Sequence, residues 1–466
     1  MLTTSPPHFA VAAQTRPSPP RVAAWRPGVD LLAIGALALL LRMAVIVATT
    51  DSGVFSDMVD YHTRAQLLLS HRPWPDSVRG PGYPGFLTLL YFWSGHDLIA
   101  ARVGNALLAT VTAMLTVVMA TDFVDRRAAL AAGAAVAVYP ASVLSSVYLM
   151  PEGLYGLLIL LTLLAARRAT LPRSLVAGLL TGLAALTRSL GIGLLPTLAA
   201  GHCVRGWRER RWRHATAAVG ITGLACALTL VPWLSHTVRV SGGPMLDSTS
   251  AVNILIGANP RARERLQLED GDWLRTTYLN GATNEAELNR RALQASWGWI
   301  TQNPGAWLRL LPLKASYLWG LEGREHAWAF ANSYFGERDP VVVWLWSVLL
   351  ITCLPLLAVP AIAGLCRPGL TTTATGVHVL TLLAVVTLMH AVSFGETRFH
   401  LPMIPLLAAL AVRGVAGVRA MTPVRWLVAT ALAVAIGSGW LRQLPELMER
   451  LHQVTTPDGW RLMLPY

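Results

Sequence analysis

The strongest constraint on this chain is a series of uninterrupted apolar stretches. Each is about 15–25 residues long, enough for a helix to cross a hydrocarbon core of about 30 Å. They fall at 29–49, 98–120, 128–147, 150–166, 174–187, 190–203, 214–234, 341–365, 372–392, 399–413 and 425–441. Inside a bilayer every backbone N–H and C=O must be paired within the protein, which leaves helices or closed barrels. The stretches are continuously apolar rather than alternating, so they read as helices. Only 14% of the 466 residues are charged, against about 25% in soluble domains. The fold class expected is an all-α polytopic membrane protein with about 11 transmembrane helices. Polar breaks divide the longest runs, at Tyr139-Pro-Ala-Ser, at Pro151-Glu152 and at Thr187-Arg-Ser-Leu-Gly191.

The formal charge is +13, but the basic residues are split among loops between apolar spans. That distribution excludes nucleic acid as a partner and marks one side of a membrane instead. Arg126 and Arg127, then Arg167, Arg168 and Arg173, then Arg205 to Arg213, then Arg367, then Arg413, Arg419 and Arg425 occupy alternate short loops. The positive-inside rule places those loops and the N-terminus in the cytoplasm and the C-terminus outside. A bacterial inner membrane is the expected location.

Residues 1–28 are Pro-rich and lack a signal-peptide cleavage site, so they read as a disordered cytoplasmic tail. The remaining organisation expected is an N-terminal transmembrane module over 29–234, which contains a first extracytoplasmic loop at 50–97. A long extracytoplasmic loop region follows at 235–340, then C-terminal spans at 341–441 and an extracytoplasmic tail at 442–466. Within the long loop, 306–320 is too short and too charged to span and reads as an interfacial helix anchored by Trp307, Tyr317 and Trp319. The four cysteines form no CxxC and lie in or beside apolar spans, as small core residues would.

Chemistry is concentrated at the outer ends of the spans. Residues 56–70 predict an amphipathic helix on which Asp57, Asp60 and Arg64, spaced i, i+3, i+7, share one face. Two carboxylates beside a cation can hold one ionised as a general base, or hold a divalent metal, or simply form a solvated face with a surface ion pair. Arg79-Gly-Pro-Gly-Tyr83-Pro84 joins a cation to a turn rich in fixed and permissive φ angles, suited to aiming Arg79 and backbone N–H groups at a phosphate. Its plain alternative is a loop with Tyr83 in the interfacial aromatic belt.

Glu396, Arg398 and His400 crowd another membrane boundary. There Arg398 could bind a phosphate with His400 donating to it, or Arg398 could snorkel from a capped helix start. Glu152 and Arg188 stand at two further outer ends, as site residues or as a structural ion pair. Lys314, the one lysine, sits on the interfacial helix as a point charge suited to phosphate.

None of these groups falls at mid-bilayer, and the spans show no midplane charge. A transporter or flippase of a lipid-linked intermediate would more often place ionisable groups there. It remains the alternative reading, with a non-catalytic assembly subunit behind it. An outward-facing enzyme site for a lipid-linked phosphate fits the placement better.

Taken in order, these motifs resemble the GT-C superfamily of polytopic glycosyltransferases, in its bacterial family-39-like, dolichyl-phosphate-mannose-protein mannosyltransferase-type branch. Asp57-Met-Val-Asp60-Tyr61-His62 and the following Arg79-Gly-Pro-Gly-Tyr-Pro are similar to that family's acidic motif and R-P-P-G-Y-P turn. Tyr148-Leu-Met-Pro-Glu152, Gly182-Leu-Ala-Ala-Leu-Thr-Arg188, Asn253 to Pro260 and Gly395 to Pro405 also match its habits, so the likeness covers roughly 30–415. The chain departs at Gly80, where relatives often carry Pro, and in separating Asp57 from Asp60, where relatives often carry an adjacent Asp-Glu pair.

The resemblance implies a polyprenyl-phosphate sugar donor and inverting transfer to an acceptor hydroxyl on a protein, glycolipid or polysaccharide, with membrane lipids as surroundings. It implies that Asp57 is the general base, with Asp60 assisting, though Asp51 also stays open as the acid. Arg79, Lys314 and Arg398 would stabilise the leaving phosphate, with Arg64, Tyr83, Glu152, Arg188 and His400 completing the binding site. No cofactor is certain. Some GT-C enzymes use a divalent cation and others none, and Asp57 and Asp60 would be its ligands here.

Overall fold

The computed structural model describes residues 28–49, 53–262, 268–323, 330, 335–336 and 338–455. Asp51, the expected tail over 1–28 except Gly28, and residues 456–466 of the expected C-terminal tail lie outside the described residues.

All eleven apolar stretches are helical. In chain order the helices are α1 (Val29–Ala48), α2 (Asp57–Leu69), α3 (Gly82–Ser94), α4 (Leu98–Ala120), α5 (Arg126–Val138), α6 (Pro140–Leu144), α7 (Glu152–Ala165), α8 (Leu171–Thr187) and α9 (Leu194–Glu209). They continue as α10 (Trp212–Ser241), α11 (Thr249–Ile256), α12 (Leu268–Leu274), α13 (Glu285–Gln302), α14 (Pro304–Leu318), α15 (Pro340–Cys366), α16 (Ala374–Val392), α17 (Ile404–Ala416) and α18 (Pro423–Thr455). Among the described residues seven helical segments are long and apolar enough to cross a membrane, and α5 with α6, bent by 53°, would make an eighth. The other three stretches form the shorter α7, α8 and α9, of 14, 17 and 16 residues.

The breaks have local causes. Pro140 has no N–H, so the Val136 carbonyl loses its helical partner at the α5–α6 bend. Arg42 of α1 reaches into that gap. Its Nη1 donates to the carbonyls of Ala38 and Ala137, both at 2.9 Å, and its Nη2 approaches the Val136 carbonyl at 3.5 Å. Two arginines nevertheless lie inside apolar helices: Arg42 of α1 and Arg102 near the start of α4 are both fully buried. Arg102 donates to the Thr49 carbonyl at 2.8 Å.

The core runs through α1, α4, α5, α7, α15 and α17, with α8 packed on α10 and α9 on α16. Cys226 and Cys353 are buried as expected, but Cys203 is exposed. The segment expected as an interfacial helix is α14, which packs on α16 and α18. Trp319 just beyond it donates to Thr387 Oγ1 at 3.0 Å. Part of the expected C-terminal tail continues α18 as helix. There Gln443 accepts from the Leu321 N–H at 3.1 Å and donates to the Ser316 carbonyl at 3.2 Å.

Candidate active site

The site grows from the start of α2. Ser56, just before the helix, holds φ at +51°, an uncommon left-handed conformation for a non-glycine residue, and Asp57 opens the helix beside it. The helical spacing sets Asp57, Asp60 and Arg64 along one side. The Arg79 turn then folds back over the C-terminal end of α8. A Cβ on Gly80 or Gly82 would run into the backbone of Leu186 or Thr187, so the glycines let the turn lie directly against the residues preceding Arg188. Two residues before Arg79, Ser77 is pinned from the long loop. Its N–H and Oγ donate to Glu285 Oε2 at 2.8 and 2.5 Å, and Ser241 Oγ donates to the same oxygen.

The charges form a continuous alternating chain. Asp76 takes a forked pair of bonds from Arg64, at 2.8 and 3.0 Å. Arg64 Nε donates to Asp60 Oδ1 at 2.8 Å, and Asp60 Oδ2 receives Arg79 Nε at 2.8 Å. Arg79 Nη2 donates to Asp57 Oδ1 at 2.6 Å, and Arg398 Nη1 donates to Asp57 Oδ2 at 2.9 Å. Beside this chain, Arg188 Nη1 meets Glu152 Oε1 at 2.6 Å. Phe399 joins the two groups: the Arg188 and Arg398 guanidinium carbons lie 4.5 and 5.1 Å from its ring centre.

Four carboxylates thus face four guanidiniums. The side chains of Asp57, Arg79, Arg188 and Arg398 are 15, 23, 17 and 15% exposed, so these pairs are mostly desolvated. Burial would lower the Arg79 pKa, but the Tyr61 oxygen and the Asp57 and Asp60 carboxylates outweigh it and raise it. Arg64 behaves likewise: burial opposes its charge, and the bonds to Asp76 and Asp60 raise its pKa. Burial raises the Tyr61 pKa, with Arg79 and Arg188 opposing, and the Arg79 guanidinium lies over its ring at 5.2 Å. The second Glu152 oxygen has no partner among the described residues. Glu152 lines a polar cavity of about 40 Å³ with Asn105, Ser142, Ser145 and Ser146, which has room for water.

Four of the expected phosphate ligands are engaged by partners inside the protein. Arg64 is saturated by Asp60 and Asp76. Tyr83 is fully buried, and its hydroxyl bonds to Asn105 at 3.2 Å rather than resting in an interfacial belt. Lys314 is fully buried, with its ammonium on the carbonyls of Gly257 and Val392. His400 is also fully buried. Its Nδ1 lies 2.7 Å from the Leu318 carbonyl and its Nε2 2.9 Å from Glu322 Oε1, which accepts from the Tyr139 hydroxyl at 2.7 Å. Each of the four meets an internal partner first, because a buried polar group without one is costly.

Sequence reasoning missed Asp76, Phe399, Glu285 and Glu322 as contributors. Asp76 had a signal, an acid three residues before Arg79. Glu285 and Glu322 had none, since their partners lie far away in the chain. Among the described residues no three His, Cys, Asp or Glu side chains converge as a metal cluster, and Asp57 and Asp60 each bond to two arginines.

No protein-family model matches the chain, and no curated protein does either. Solved structures do. The oligosaccharyltransferase of Archaeoglobus fulgidus in complex with Zn and sulfate aligns with a TM-score of 0.50 at 12% identity, over 92% of this chain and 53% of that one. Its apo form gives a TM-score of 0.50 at 12% identity over 93% and 56%. ArnT from Cupriavidus metallidurans bound to undecaprenyl phosphate gives 0.46 at 12% identity over 91% and 69%. The chain spans about half the length of the oligosaccharyltransferase it matches. At this identity the likeness speaks to architecture alone: this is an all-α polytopic membrane protein with the GT-C fold.

Proposed function

We propose that the chain is an inverting glycosyltransferase that moves a sugar from a polyprenyl-phosphate donor to an acceptor hydroxyl at the extracytoplasmic face. The observation that carries this is the Asp57 carboxylate bridged by Arg79 and Arg398, two cations brought from opposite ends of the chain to one acid. The GT-C fold supports it, and the motif order supports a family-39-like branch. One matched structure is an oligosaccharyltransferase, which agrees with the class of reaction.

The geometry suggests an exchange of partners. While two guanidiniums hold Asp57, its carboxylate is a weak base. A donor phosphate offers Arg79 and Arg398 oxygens suited to forked pairing and draws them away. Asp57 is then released to take the proton from the acceptor hydroxyl. The acceptor oxygen attacks the anomeric carbon with inversion. The carbon–oxygen bond to phosphate breaks, its electron pair leaves on the polyprenyl phosphate, and the arginines stabilise the charge that grows there. Asp60, held between Arg64 and Arg79, orients this set, and Arg188 with Glu152 forms the adjoining wall.

The test is transfer of label by the reconstituted protein from a panel of radiolabelled polyprenyl-phosphate sugars to membrane-extract acceptors. Transfer supports the reading. Labelled lipid that crosses the bilayer without any transfer supports the transporter alternative instead.

A further inference from the structure

A second hollow, lined by both charged and apolar residues, lies at the other end of α8. A cavity of about 340 Å³ sits at the start of α8, whereas Arg188 follows its end. Seventeen helical residues separate the two ends by about 25 Å. The cavity is lined by Thr170 and Leu171 at the α8 N-terminus, Arg205 and Glu209 of α9, Arg211 between α9 and α10, and His214 of α10.

Thr170 makes no side-chain cap and Pro172 has no N–H, so the Leu171 and Arg173 N–H groups lack that cover and carry the positive end of the helix dipole. Arg205 is steadied by the Arg167 carbonyl at 2.6 Å and stands 3.7 Å from Glu209. His202 also lines the cavity. It is 2% exposed, and its Nε2 has no partner among the described residues. Two guanidiniums and a helix N-terminus against one carboxylate make a hollow for an anion.

The surroundings indicate which anion. Trp207 and Trp212, close in sequence to Arg205 and Arg211, are 69% and 51% exposed. Exposed indoles gather at the bilayer–water boundary, so the cavity stands at headgroup depth. Arg-rich loops crowd the same end, as they do where a protein meets an anionic leaflet.

We propose that this cavity binds the phosphate-bearing headgroup of an anionic phospholipid, held by Arg205, Arg211 and the N-terminus of α8. The site is separate from the Asp57 cluster and does not rest on the reading of that cluster as an enzyme site.

Native mass spectrometry of the full chain in detergent tests it, with phosphatidylglycerol, phosphatidylcholine and inorganic phosphate offered in turn. The expected result is phosphatidylglycerol bound in preference to phosphatidylcholine and not displaced by equimolar inorganic phosphate. Arg205→Gln with Arg211→Gln should weaken that binding by at least about tenfold. Arg290→Gln, at an exposed position on α13, should leave it unchanged. If the double variant does not fold, Arg211→Gln alone, at an exposed position, should still cost about fivefold. Equal binding of the two lipids, equal binding by wild type and the arginine variants, or inorganic phosphate binding as tightly as the lipid would each overturn the proposal.

Discussion

Asp57 and Arg398 lie 341 residues apart in the chain and meet at 2.9 Å, while the other Asp57 oxygen is held by Arg79 at 2.6 Å. Long-range closure of this kind joins the first polar segment to the last quarter of the chain. It also places the proposed base and the proposed phosphate-binding cations in one contact. In the structure the carboxylate occupies the position that a donor phosphate would contest.

Arg398→Lys tests that exchange. Lysine keeps the charge but loses the planar fork and its packing on Phe399. The expected result is weaker binding of polyprenyl phosphate by about 1.5–3 kcal/mol, in the range of a charged hydrogen bond. Lipid titration followed by thermal shift checks it. Unchanged affinity would separate Arg398 from the phosphate.

Glu285→Ala removes the acceptor of Ser77 and Ser241, both buried. Leaving those donors unpaired should cost about 1–3 kcal/mol locally. Hydrogen exchange should quicken at Ser77 and Val78 while α4 and α17 stay protected. Uniform loss of protection across the bundle would instead mean that Glu285 supports global folding.

Arg42→Met keeps the bulk of a long side chain and removes the donors to the Ala137 and Ala38 carbonyls at the α5–α6 bend. The expected outcome is a lower melting temperature in detergent, from about 1–3 kcal/mol of unsatisfied backbone. A melting temperature equal to wild type would show that the bend is satisfied without Arg42.

Lys314 sets a pH dependence. Burial lowers its pKa from 10.5 to about 8. Between those values the unfolded chain binds more protons than the folded one, so stability rises with pH. Below about pH 8 both states are protonated and the cost of the buried ammonium is fully present; above 10.5 it is gone. Melting temperatures of wild type minus Lys314→Met, measured from pH 7 to 11, should rise across that window. A flat difference would contradict the burial of a charged ammonium.

Much of the architecture was legible because it depends on local pattern. The eleven apolar stretches became helices, and the chain breaks at Tyr139-Pro140 and around Arg188, where the sequence interrupts its apolar runs. The side of the bundle carrying Asp57, Asp60, Arg79, Glu152, Arg188 and Arg398 was legible as well. What the sequence hid were partners remote in the chain. His400 reads as a surface donor until Glu322 and Leu318 arrive to bury it. Lys314 reads as a free cation until the Gly257 carbonyl meets it. Arg42 vanishes into a hydropathy average because its partners are backbone oxygens about 95 residues away.

The most direct measurement is the turnover of Asp57→Asn and Asp60→Asn beside wild type, in reconstituted protein with labelled polyprenyl-phosphate sugars. Loss of a general base costs about 10²–10⁴-fold in rate. The account predicts a loss of that size for Asp57→Asn and a smaller one for Asp60→Asn, with a lowered melting temperature for both, because each substitution leaves two guanidiniums short of a carboxylate. Wild-type transfer that survives Asp57→Asn undiminished would contradict it.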